Sequence, residues 1–548
     1  MSRAWLKKYW LPLLLLAAFL YLAIGATAPF FHYKTIPDKT KEKFSPQSFY
    51  QDGPGVDRAM ILETNESAWE ERLRFMNLAQ KRIILSTFDF RDGESPRDLL
   101  SVMLHKAEEG VQVKILVDGF SGLVRMEHSE VFYALSSHPN VEIKLYNPIN
   151  LAKPWKTQGR MHDKYVIVDD YGYILGGRNT FDYFIGSYPT NSRSHDREVF
   201  VYNTAHGGPD SGESSLGQVL GYFDGVWNLD VCRPFHNDEA LADKPKVKAA
   251  ADMLHKRYQD LAAARPDLLD SGEVGGTGEG GAVPGDFGGG TDDSGSRAAD
   301  PGGSPTTPGD TTVPGASASL SAPACGALPP DRAARRRQAL AYYAANTCEA
   351  GRITLVSNPT GIYGKEPTVF FTLTELMKSA GQSVDIHTPY AVFNSYMYGT
   401  IEDVSSRVPV SMMINSVENG DNFFASSDYL RHRKDMAATG MTIYEYDGGI
   451  SYHGKSMVID HELAAVGSYN FDLRSTYMDT ELMLVIQSRE LAGELEQYMT
   501  SYEKDCRKLL PDGSYEIPDH IVISEVPLWK RAAWAVVGFV MQPVRFLI

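Results

Sequence analysis

Cysteine is scarce in this 548-residue chain: there are four, at 232, 325, 348 and 506, with no C-x-x-C spacing. That excludes a clustered thiolate metal site and a dense disulfide framework as the organising element. Positive charge is also short, with 53 Lys and Arg against 69 Asp and Glu and a formal net charge of −16. Residues 266 to 310 carry about half of that excess, with nine acidic side chains against Arg297 alone. Affinity for the nucleic-acid backbone comes largely from Lys and Arg, so a general nucleic-acid binder is disfavoured, although a local basic pocket is not. Long apolar runs are lacking after the first 31 residues.

The exception is the N-terminus. Arg3, Lys7 and Lys8 precede an uncharged stretch from Tyr9 to Phe31, long enough to cross a bilayer as a helix. A cleaved signal peptide is the rival reading. Ala26-Thr27-Ala28 resembles a cleavage site, but Pro29 after it suits cleavage badly. Residues 1–31 are therefore expected to form a single-pass anchor in the cell membrane. The basic tail predicts a cytoplasmic N-terminus and an extracytoplasmic body, and Lys34, Lys39, Lys41 and Lys43 beyond the span pull the other way. At the other end, residues 521–548 combine Trp529, Lys530, Arg531, Trp534, Phe539 and Arg545 around an apolar core too short to span. They predict either an interfacial amphipathic helix or a helix docked on the body.

A stretch from about 266 to 330, rich in Gly, Pro, Ser, Thr and Asp, has few large apolar residues. With so few large apolar side chains it cannot bury enough surface to offset its ordering entropy and is expected to be disordered. Helical patterns at Lys246–Arg265 and Asp331–Asn346 flank it, so residues 236–352 read as a helical connection. On each side of it the same element order recurs. Residues 50–235 predict helix Ala68–Gln80, strand Arg82–Phe88, helix Pro96–Glu109 and strands Val111–Asp118 and Val141–Tyr146. Residues 353–520 predict helix Pro367–Ala380 and strands Ser383–Thr388, Val408–Asn415 and Met441–Tyr446. Alternating helices and strands argue for an α/β class, and their repetition for two duplicated α/β/α sandwiches, each with a central mixed sheet.

The repeat sharpens after the last of those strands. The first copy, M-H-D-K-Y-V-I-V-D-D-Y-G-Y-I-L-G-G-R-N, supplies His162, Lys164, Asp169, Gly176 and Asn179. The second, Y-H-G-K-S-M-V-I-D-H-E-L-A-A-V-G-S-Y-N, supplies His453, Lys455, Asp460, Gly467 and Asn470, each 291 positions on. Residues i and i+2 of an extended segment share a face, so each His and Lys can enter one pocket. Gly177, replaced by Ser468 in the second copy, permits close backbone approach to a ligand. Positive charge and donors from Lys164, Lys455, Asn179 and Asn470 suit the non-bridging oxygens of a phosphoryl centre. Histidine can be nucleophile or proton donor near neutrality. Each half offers one such histidine, which predicts a site at a pseudo-twofold interface.

The two motifs resemble the H-x-K-x4-D pair of the phospholipase D superfamily, over both repeats and excluding the anchor and the acidic insert. The runs N-F-D-L-R-S (Asn470–Ser475), R-M-H-D-K, G-G-R-N and F-D-G-V-W-N (Phe223–Asn228) resemble its cardiolipin synthases. The resemblance implies a covalent phosphohistidine with no metal and no cofactor. His162 would be the nucleophile and His453 the acid, roles that near-symmetric motifs leave exchangeable. Asp169 and Asp460, the motif acids, are implied to be structural or electrostatic supports. Glu481, in D-T-E-L-M-L-V, and Glu198, in D-R-E-V-F-V-Y, look like the acids that orient the histidines, with eight extra residues before Glu198. His195, His387, His432 and His461 read as ordinary surface or core residues, and Phe181, Tyr183 and Phe184 as core.

The expected activity is phosphatidyl transfer between phospholipids such as phosphatidylglycerol, with hydrolysis to phosphatidic acid as the alternative. A nuclease is opposed by the acidic balance and the anchor, and a non-enzymatic membrane scaffold by intact His, Lys and Asn in both halves.

Overall fold

The computed structural model describes residues 3–269, 330–510, 512–523 and 526–548. Most of the acidic insert, and the expectation of disorder there, lies outside the described residues.

Two nine-stranded mixed sheets carry the fold. The first runs Cys348–Glu349, Asp57–Leu62, Glu198–Asn203, Gly172–Gly176, Tyr165–Val168, Arg82–Thr87, Gln112–Asp118, Val141–Tyr146 and Cys232–Pro234. The second runs Ile353–Ser357, Leu482–Gln487, Leu463–Gly467, Ser456–Ile459, Val384–His387, Val410–Asn415, Thr442–Tyr446, Cys506–Leu509 and Tyr515–Glu516. In each, three adjacent strands are parallel and the motif hairpin adds antiparallel strands beside them. Strands Tyr165–Val168 and Ser456–Ile459 are buried at every position, as expected of central strands covered on both faces.

Helices such as Asn65–Asn77 and Glu94–Glu108 cover the outer face of the first sheet, and Thr368–Lys378, Ser395–Ser405 and Phe423–Ala437 that of the second. A third apolar cluster joins the halves. Tyr165, Tyr173, Val199 and Val201 share it with Val458, Val466, Leu482 and Leu484, and helices Leu216–Trp227 and Arg489–Glu503 contribute to it. The interface is thus a continuous core, which holds the two motifs in fixed relation.

Helix Arg3–Thr27 continues into a turn at Ala28–Phe30, and Tyr9–Phe30 has the length and apolarity of a membrane span. The C-terminal helix Leu528–Val540 joins features of both its expected readings. Trp534, stacked on Phe423, and Gly538, against the Ser427 carbonyl, dock it on helix Phe423–Ala437. Its other face leaves Leu528, Trp529, Val536, Phe539 and Val540 exposed.

Candidate active site

Each motif enters the interface on a short bridge to the other half. Met161 pairs in parallel with Thr480, and Ser451–Tyr452 pairs in parallel with Ser194–His195. Met161 and Tyr452 are equivalent under the 291-residue offset, so the bridges are pseudo-twofold mates. The antiparallel ladders beyond the bridges set the register: Gly176 faces Glu198, and Gly467 faces Met483. Two positions before those partners stand Asp196 and Glu481, which are therefore structural equivalents.

Their carboxylates cross the interface. Glu481 Oε1 lies 2.9 Å from His162 Nδ1, and Asp196 Oδ2 lies 2.7 Å from His453 Nδ1. Each histidine is held at Nδ1 by an acid of the opposite half. The side chains of His162 and His453 keep 13% and 11% exposure, so both remain reachable in an otherwise buried cluster. Lys164 Nζ donates to the His162 carbonyl at 2.5 Å, and Lys455 Nζ lies 3.1 Å from His453 Nε2. Phe88 and Phe184 wall the two imidazoles, with ring centroids 5.3 and 5.0 Å away.

The electrostatics of the two pairs differ. Burial, then the charges of Lys164 and Lys455, push His162 well below the ordinary imidazole range. Burial raises its partner Glu481 to about 8 against the pull of Lys164. Burial tends to raise Asp196 too, but Lys455 and His453 outweigh it and hold that carboxyl at about 2. His453 is lowered by burial and Lys455, with Asp196 opposing. Burial brings Lys164 down to about 7 and Lys455 to about 8. The pocket therefore presents a neutral imidazole, His162, on one side. On the other it presents an imidazole backed by a firmly ionised carboxylate, the pairing that stabilises an imidazolium.

Other expected site residues stand apart from the two imidazoles. Glu198 does not orient a histidine. Its carboxylate makes a bidentate pair with Arg72, both bonds 2.6 Å, deep in the first half, and Asp196 takes the position expected for it. Asp169 and Asp460 stand away from the histidines, at the turns that end the central strands, with φ of 49° and 54°. Asp169 accepts the backbone N–H groups of Gln80, Lys81 and Arg82, and Asp460 those of Gly381, Gln382 and Ser383. These acids splice the motif hairpin to the neighbouring strand.

Gly177 and Ser468 use their backbone N–H groups on the Arg197 and Leu482 carbonyls, so neither amide is free for a phosphate. They serve the carboxylates instead. The Ser468 hydroxyl donates to Glu481 Oε2. A Cβ on Gly177 would collide with Asp196 Oδ1. Gly177→Ala is accordingly expected to displace Asp196 and lower kcat by about 10- to 100-fold, the usual cost of losing a supporting hydrogen-bond partner. The measurement is steady-state turnover with the fold checked by circular dichroism. Asn179 Oδ1 accepts the Asp89 N–H at 3.2 Å, which leaves its amide nitrogen to donate. Asn470 is buried beside Tyr390, and its Oδ1 has no partner. Both asparagines lie in the motif hairpins that carry the His-Lys pairs.

The family profile described as cardiolipin synthase, PLD-like domain, matches residues 73–201 and 373–502, one match per sheet. Cardiolipin synthase C of Escherichia coli K12 is 24% identical over 498 residues, covering 83% of this chain and 86% of its own. A probable cardiolipin synthase of Bacillus subtilis is 29% identical over 143 residues, 26% of this chain and 28% of its own. The crystal structure of phosphatidylserine synthase from Haemophilus influenzae Rd KW20 shares the fold. Its TM-score is 0.57 at 14% identity, over 93% of this chain and all of that one (100%).

Proposed function

Since the chain belongs to the phospholipase D superfamily and matches its cardiolipin-synthase-type domain twice, we propose that it is a membrane phospholipid phosphatidyltransferase acting through a phosphohistidine. The observation that carries this reading is the pair of crossed His–carboxylate contacts, His162–Glu481 and His453–Asp196, flanked by two buried lysines. His162 Nε2 attacks the phosphorus of a phosphatidyl donor, and the bond from phosphorus to the leaving alcohol oxygen breaks. His453, as imidazolium backed by Asp196, gives that oxygen its proton. The neutral His453 then takes a proton from the hydroxyl of a second lipid, such as phosphatidylglycerol. That oxygen attacks the phosphohistidine and releases His162. Lys164 and Lys455 balance the charge on the non-bridging oxygens, and the side-chain NH2 groups of Asn179 and Asn470 donate hydrogen bonds to them. An anionic phosphodiester between the lysines adds negative charge, which favours their protonated forms and a protonated His453.

Attachment to a membrane fits this substrate class. The span Tyr9–Phe30, with Arg3, Lys7 and Lys8 before it, supports a body on the extracytoplasmic side. The exposed apolar face of helix Leu528–Val540, with Trp529 and Lys530, suits the headgroup layer.

The test is lipid mass spectrometry after incubating the protein in vesicles of phosphatidylglycerol, with and without phosphatidylethanolamine. Cardiolipin is the expected product, and activity should persist in EDTA. Phosphatidic acid without cardiolipin would assign hydrolysis instead, and unchanged lipids would reject both.

A further inference from the structure

The anchor helix is not detached from the body. Tyr21 Oη donates to the Ala152 carbonyl at 2.9 Å. A Cβ on Gly25 would stand 2.5 Å from Pro154 Cγ, so the small residue lets the proline ring seat against the helix. Both contacts fall inside the span Tyr9–Phe30. At 1.5 Å per residue, Gly25 lies about 3 Å and Tyr21 about 9 Å of helix below its C-terminal end at Thr27. A headgroup layer is only about 5–8 Å deep, so the loop touching Tyr21 reaches past it.

The exposed side chains there match that depth. Leu151 is 65% exposed and Trp155 is exposed beside it. The neighbouring turn Gly119–Met126 presents Phe120, Leu123 and Val124, each about half exposed. It packs directly on the same loop, since a Cβ on Gly119 would meet the Pro148 backbone nitrogen at 2.5 Å. Arg125 and Lys153 are exposed among these apolar groups, the composition of a surface that meets anionic headgroups. The platform is also tied to the reaction centre. Asp118, at the base of the turn, bonds the Arg160 guanidinium at 2.8 Å and the Met161 N–H at 3.0 Å, one residue before His162.

We infer that Gly119–Met126 and residues 148–156 form a second membrane insertion beside the anchor, which dips below the headgroups and sets the His162 strand at their level. The occupant of this surface is the lipid bilayer, and the inference rests on the anchor reading. Its consequence is that a lipid phosphate can reach His162 while its acyl chains stay in the membrane.

The experiment introduces a photo-crosslinking benzoylphenylalanine singly at Leu123, Leu151, Leu16 and Lys256 of the full chain in phosphatidylethanolamine–phosphatidylglycerol vesicles, with lipid adducts read by mass spectrometry. Leu16 lies within the span. Lys256 follows His255, which bonds Glu108 near the opposite end of the strand that leads into the turn. Adducts at Leu16, Leu123 and Leu151 and none at Lys256 are expected. An adduct at Leu16 without any at Leu123 or Leu151 overturns the insertion while sparing the anchor. No adduct at Leu16 overturns both.

Discussion

His162→Ala and His453→Ala should each lower transfer from phosphatidylglycerol by about 10⁴-fold or more, the scale seen when one member of a concerted catalytic set is removed. The two variants should differ in what remains. An aryl phosphodiester has a leaving group that needs no proton, so His453→Ala should still release one equivalent of aryl alcohol in a burst. The adduct would then persist, because the base that activates the acceptor is gone. His162→Ala should give no burst. The measurement is a rapid-quench burst assay with peptide mass spectrometry of the trapped adduct. A burst in His162→Ala and none in His453→Ala would exchange the roles. The direction expected comes from the pocket's asymmetry. His162 is driven towards its neutral, attacking form by burial and two lysines, and His453 stands against an acid held at about 2.

The architecture was legible in the chain because burial imposes period and length on the sequence. The strand expected at Val141–Tyr146 has those bounds in the structure, and the helices flanking the acidic insert run Pro245–Ala264 and Pro330–Asn346. The His-Lys-Asn groups were legible because identical spacing in two copies leaves little room for another origin. Ambiguity entered where two acids compete within one strand start. In H-D-R-E-V-F-V-Y, the apolar run after Glu198 imitates the run after Glu481, and matching run to run slides the pairing by two residues. Period-2 alternation preserves the face under such a slide, so hydrophobic pattern alone could not separate Asp196 from Glu198. The ladder Gly176–Glu198 against Gly467–Met483 does separate them. The aromatic walls were hidden for another reason. Phe184 is buried in the core and also faces His453, and no spacing rule distinguishes those two duties. The apolar platform at Leu123 and Leu151 was likewise invisible in single-sequence terms. Its residues come from two separated loops and are too few in either to form a run.

That two-residue distinction leads to the second large expectation. Asp196→Asn should leave the fold intact and lower kcat by about 10²- to 10⁴-fold, because an amide can no longer fix the His453 tautomer or stabilise its imidazolium. Glu198→Gln should do the reverse. It leaves Arg72, only 2% exposed, without its bidentate partner, and Arg178 loses the same carboxylate 3.9 Å away. Breaking a buried pair on one side costs about 3–5 kcal/mol, which should lower the thermal midpoint while protein that remains folded turns over lipid at near-native rates. The two variants are to be compared by thermal unfolding and by turnover per folded molecule. The pH profile adds a readout that a merely structural acid would not move. With Asp196 intact, its carboxyl near 2 stays ionised across the acid limb and supports His453 protonation. Removing that charge lowers the His453 pKa further, so the protonated acid is lost at lower pH and the alkaline limb of kcat/KM should move down. An unmoved limb in Asp196→Asn, or a shifted one in Glu198→Gln, would return the orienting role to Glu198.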